Sequence, residues 1–172
     1  MSDTEIKTKS ELLVHAYQME IEAQDRYTYL ADLMEVHNNP DLVKLFRKLS
    51  WVEGLHAKHI LEQMGEEDDK DPQPHELKWE GGESPEAFDL AEADYLMSPN
   101  GALKLALEAE KNAYKFFADI VETTTDADMK TLAVEFAAEE KEHVELMQAE
   151  LAKYPEADWP ERDDMDEAMS QD

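Results

Sequence analysis

The chain has no cysteine among its 172 residues, which excludes disulfides, zinc ribbons and iron–sulfur ligation and fits a cytoplasmic protein. It also lacks an apolar run of about 18 residues, the length that marks a membrane-spanning helix, so no membrane is expected as a partner. Met1 to Glu5 are polar and acidic, without the apolar stretch of a secretory signal. Basic residues are scarce: 16 Lys and Arg stand against 43 Asp and Glu, for a formal charge of −27. Nucleic acid is therefore not an expected partner, because phosphates are neutralised by Lys and Arg. Most of these acids read as solvated helix surface, which also serves solubility. At this length the chain is most simply one domain able to bury a core.

What is present is helical periodicity. After a short lead-in, Leu13, Ala16, Tyr17, Ala23, Tyr27, Leu30 and Met34 recur at helical spacing from about Ser10 to His37. Asn39 caps a second helix with Pro40 at its first position, and this helix runs to Met64 and stops at Gly65. The short connection makes the first two helices antiparallel neighbours. Residues 66–97 break the pattern with an acidic, proline-containing loop and Gly81-Gly82, followed by one short helix from about Ser84 to Leu96. A stretch so long suits a crossover that returns the chain to the opposite end of a bundle. Ser98-Pro99 opens a third helix to about Glu122, and Asp126 caps a fourth that reaches about Tyr154. The expected fold is all-α: a ferritin-like antiparallel four-helix bundle over 1–154, with two hairpins, a crossover, and an acidic tail over 155–172.

Glu53 and His56 lie three residues apart in the second helix, on one face, with Cβ atoms about 5–6 Å apart. Leu42, Phe46, Leu49 and Ile60 share that face, so it is the buried one. A carboxylate facing a core is costly unless paired or metal-bound. The device recurs as Glu140 and His143 in the fourth helix. The first and third helices repeat too: Glu20 with Ala23 and Tyr27 matches Glu110 with Ala113 and Phe117, and Leu13 and Leu103 each lie seven residues earlier. Packing the halves together gathers Glu20, Glu53, His56, Glu110, Glu140 and His143 at mid-bundle, the ligand pattern of di-iron and di-manganese carboxylate bundles. Four carboxylates balance two divalent ions, and mixed oxygen and imidazole ligands suit iron, with manganese or zinc as alternatives. Glu53 and Glu140, each beside a His, are placed to bridge the ions, and Glu20 and Glu110 to cap one each. Metals held about 3.5–4 Å apart, the usual spacing of two-metal sites, can act together on dioxygen or peroxide.

Glu20 with Arg26-Tyr27, Glu53-x-x-His56 and the run Ala138 to His143 resemble the helix signatures of the rubrerythrin-type branch of ferritin-like proteins, over residues 10–154. The resemblance implies a non-haem di-iron oxidoreductase that oxidises Fe(II) or reduces dioxygen or hydrogen peroxide. Glu53 and Glu140 would be central to the chemistry and Tyr27 would stand beside the site. It also implies a homodimer or larger homo-oligomer. Rubrerythrins proper carry a four-cysteine rubredoxin domain, so here electrons would come from a separate donor or from Fe(II) itself. They also carry an extra carboxylate three residues after the third-helix ligand, where this chain has Ala113. A six-ligand ferroxidase-like or oxidase-like site is the inference. The alternatives are an iron-handling protein without turnover and a structural bundle with a zinc-filled site.

The remaining candidates read as structural. His15, His37 and His75 lack a Glu three residues before and read as exposed or structural, and His59 reads as surface. Glu22, Glu108, Glu139 and Glu142 flank the ligands off the inward face and read as solvated charge. Met19, Met34, Met64, Met97, Met129 and Met147 read as core filler.

Overall fold

The structure, a computed structural model, describes residues 5–65 and 97–155. Among these residues it contains α-helices and no strand: α1 (Lys9–Val36), α2 (Pro40–Gly65), α3 (Pro99–Thr123) and α4 (Ala127–Leu151). The caps account for the boundaries. Thr8, Asn39, Ser98 and Asp126 each accept a backbone N–H of the first turn, from Glu11, Leu42, Gly101, and both Asp128 and Met129. Between α1 and α2, Asn38 adopts φ 52°. The Asn38 and Asn39 amides donate back to the Glu35 and Met34 carbonyls, a Schellman ending with Asn in place of the usual Gly.

One boundary differs from expectation. α4 ends at Leu151 rather than Tyr154, because Lys153 and Tyr154 donate to carbonyls three residues back and tighten the last turn. Asn100 Nδ2 then donates to the Tyr154 carbonyl at 2.6 Å, tying the end of α4 to the start of α3. The expected short helix near 84–96, the crossover, His75 and the acidic tail from 156 lie outside the described residues.

α1 packs along α2 and α3 along α4, and α1 also touches α3 and α4. Two apolar clusters fill the bundle. One holds Tyr27, Leu30 and Met34 of α1, Leu42 and Phe46 of α2, Leu103 of α3 and Met147 of α4. The other holds Leu12 and Met19 of α1, Ile60 of α2, Phe117 of α3, and Met129 and Phe136 of α4. Residue numbers run in opposite senses through α1 and α2, as in an antiparallel hairpin, and likewise through α3 and α4. α2 therefore ends beside one cluster while α3 begins beside the other, the arrangement that a crossover connection serves. This is the four-helix bundle of ferritin-like proteins. None of the described helices is long and apolar enough to cross a membrane.

Between the clusters lies a layer that is not apolar. Glu20, Arg26, Glu53, Glu110, Glu140 and His143 are all buried there, at the level where the four helices face one another.

Candidate metal centre

Each helix delivers one acidic position to this layer. Glu20 lies four after Ala16 of the second cluster, Glu110 three before Ala113, Glu53 four after Leu49 and Glu140 four after Phe136, so helical periodicity turns all four inward. Glu53 is central. Its Oε1 lies 2.9 Å from His143 Nδ1 and its Oε2 lies 3.3 Å from His56 Nδ1. The two imidazoles are nearly parallel, 9° apart, with centroids separated by 6.1 Å. His143 Nδ1 is also 3.6 Å from Glu110 Oε2 and 3.9 Å from Glu140 Oε2, while His56 Nδ1 is 3.7 Å from Glu20 Oε2. All six expected residues are thus at one level. Five of them fall into two compact groups of potential ligand atoms, each within 4.8 Å: Glu53, Glu110 and His143, and Glu20, His56 and Glu139. Glu140 lies beside the first group.

These groups could hold cations. Both carboxylate oxygens of Glu53, Oε2 of Glu110 and Nδ1 of both histidines are buried, yet none makes a hydrogen bond. Groups so placed lose water without replacement, which costs about 1–3 kcal/mol each or more for charged groups. Oxygen and imidazole nitrogen lone pairs converging on a shared volume are what a divalent ion such as iron, manganese or zinc requires. The other oxygen of Glu110 is already engaged. Arg26 donates to Oε1 at 3.2 Å, and the Tyr27 hydroxyl donates to the same atom. Oε2 is left facing His143.

The rubrerythrin family model matches residues 11–151. A crystal structure of an uncharacterised conserved protein from Magnetospirillum magnetotacticum MS-1 resembles the chain with a TM-score of 0.71 at 31% identity. The match covers 86% of this chain and 96% of that one. Among curated proteins, none matches. The chain belongs to the rubrerythrin family.

In this rubrerythrin-family chain, charge holds the layer together when protons rather than metal occupy it. Burial lowers the basicity of His143, but Glu110 and Glu53 outweigh it and raise its pKa to about 11. The Glu53 carboxylate raises that of His56 in the same direction. Burial opposes ionisation of Glu53 and Glu110, but Glu20 and the histidines hold Glu53 below the usual carboxylate range, and His143 and Arg26 hold Glu110 there. The Tyr27 phenol is pushed well up, first by burial and then by Glu110, so it stays a donor.

A pH dependence follows. His143 carries a raised value in the fold, so its contribution to metal-free stability is full below 6.5 and is lost as pH rises toward about 11. Glu53 is depressed, so its contribution is full above 4.5 and is lost as pH falls. Metal binding requires a neutral imidazole and so must expel the His143 proton. Calorimetric titration with Mn(II) near pH 7, in buffers of different ionisation enthalpy, should show release of about one to two protons per two ions bound. No proton release would mean that His143 is already neutral.

Two residues differ from their sequence-based readings. Glu139, expected as solvated charge, is half-buried with Oε2 3.9 Å from His56 Nδ1, and burial raises its pKa. Arg26 was legible only as part of a motif, yet its side chain is fully buried and sits 4.7 Å from the Tyr27 ring. The other candidates fall outside the centre. His15 is buried and its Nδ1 bonds the Glu11 carbonyl at 2.7 Å, a structural role. His59 is exposed beside Gln63, and Glu108 and Glu142 are exposed.

Proposed function

We propose that this chain is a non-haem di-iron oxidoreductase that oxidises Fe(II) with dioxygen or hydrogen peroxide. Glu20, Glu53, His56, Glu110, Glu140 and His143 would hold the ions, and Glu53 would lie between them. The observation that carries the reading is Glu53 itself: a fully buried carboxylate that turns one oxygen to each of two imidazoles and hydrogen-bonds to neither. A carboxylate so placed would suit two ions, one beside each imidazole.

Bound iron would supply the electron exchange. Two Fe(II) would supply one electron each, which with two protons balance the reduction of peroxide to two waters or of dioxygen to peroxide. The protein's own residues fix the surroundings. Arg26 and Tyr27 hold Glu110 by one oxygen and orient the other toward His143, while the apolar clusters on either side exclude water. Electrons for any further turnover would come from a separate donor or from Fe(II) as substrate.

Anaerobic loading with Fe(II), followed by air or peroxide, tests this. Near-ultraviolet absorption of ferric iron should grow and saturate at two irons per chain. Faster growth with peroxide would mark a peroxidase, and with air a ferroxidase or oxidase. Tight retention of two zinc ions with no iron oxidation would overturn the redox reading.

A further inference from the structure

The six-residue set leaves a charge imbalance. Glu20, Glu53, Glu110 and Glu140 bring four negative charges to a buried layer. Arg26, fully buried and always protonated, offsets one of them at 3.2 Å from Glu110. Three charges then face the four positive charges of two divalent ions, and uncompensated charge is costly in an interior.

The internal repeat shows that the Arg26 cation sits on the Glu110 side and that the two halves of the layer are built differently. Six and seven residues after Glu20 stand Arg26 and Tyr27, both bonded to Glu110. Six and seven after Glu110 stand Phe116 and Phe117, which offer Glu20 no polar group. On the Glu20 side the structure places another carboxylate. Glu139 Oε2 is 3.9 Å from His56 Nδ1, and its ligand atom lies within 4.8 Å of those of Glu20 and His56. Glu53, 1% exposed, aims Oε2 at the same imidazole nitrogen without hydrogen-bonding it.

We propose that Glu139 is a seventh metal ligand, completing the shell of the outer ion with Glu20, His56 and one oxygen of Glu53. The role presupposes the di-iron reading and restores a neutral balance of four net negative charges to two divalent ions. It also makes the two positions unequal. Glu139 and His56 side chains are 34% and 28% exposed, whereas Glu110 and His143 are 0% and 11% exposed. The outer ion is the exchangeable one, through which Fe(II) enters as substrate, and the inner ion is enclosed.

Titration with Co(II), followed by calorimetry and visible absorption, tests this with the metal alone. The unmodified chain should bind two ions. Glu139→Gln should bind the inner ion unchanged, which reports an intact fold, and the outer ion at least about tenfold more weakly, since even groups that merely orient a ligand are worth about 10–100-fold in metal affinity. The visible bands of the second equivalent alone should change. Glu135→Gln, which removes an exposed charge one turn earlier on α4, should titrate like the unmodified chain. The assignment is overturned if Glu139→Gln matches the unmodified chain, or if Glu135→Gln weakens the second ion as much. An unmodified chain that binds fewer than two Co(II) is a separate result, and it overturns the di-iron reading itself.

Discussion

Glu53→Ala should reduce iron binding from two ions per chain to at most one and slow Fe(II) oxidation by more than about 100-fold, the upper range for residues that only support a metal ligand. Among the described residues, Glu53 is the one carboxylate within 3.3 Å of both imidazoles, through different oxygens. No neighbour can replace it: Glu20 reaches the His56 side, and Glu110 and Glu140 reach the His143 side. The substitution also removes one of the anions that raise the pKa of both histidines. The signature is therefore double: loss of the ferric absorption on exposure to air or peroxide, and fewer protons released by whatever ion still binds. Iron stoichiometry and oxidation rates equal to those of the unmodified chain would remove Glu53 from the centre.

The second large effect lies on stability. Arg26→Leu should destabilise the metal-free protein by about 3–5 kcal/mol, the usual result of stripping one partner from a buried ion pair. For a chain of this size that lowers the thermal midpoint by roughly 10 °C. Glu110 would keep its charge with only His143 left to compensate it, and Tyr27 would lose the guanidinium beside its ring. Pairing the change with Glu110→Gln should recover part of the loss, because the stranded charge is removed as well. Excess Mn(II) should also narrow the gap, since an ion bound to Glu110 replaces the missing cation. Thermal unfolding followed by circular dichroism in chelator, with and without Mn(II), reads each term. A shift under about 2 °C for Arg26→Leu would show that Glu110 does not depend on it.

The bundle was legible because its signals are local. Asn39-Pro40, Ser98-Pro99 and Asp126 mark helix starts by side chains that bond their own first turns, and the structure shows those bonds. The inward positions followed from periodicity, and the repeat of Glu20 with Glu110 and of Glu53-x-x-His56 with Glu140-x-x-His143 brought the six to one level. What was hidden depends on neighbours across the bundle. Glu139 precedes Glu140 by one residue and so points about 100° away on its own helix. Its approach to His56 of α2, at 3.9 Å, is made across the bundle. Arg26 was hidden for a related reason. A fully buried Arg is rare, and its pairing with Glu110 spans 84 residues of sequence. A contact of the same kind, from Asn100 to the Tyr154 carbonyl, fastens the end of α4 to α3.

Anomalous diffraction from crystals of the chain loaded with Mn(II) or Fe(II) tests the central claim most directly. Two peaks are expected, on either side of the Glu53 carboxylate and about 3.5–4 Å apart as in other two-metal sites, one beside His143 and Glu110, the other beside His56 and Glu20. A single peak, or two peaks away from Glu53, would contradict a dinuclear centre organised on that residue.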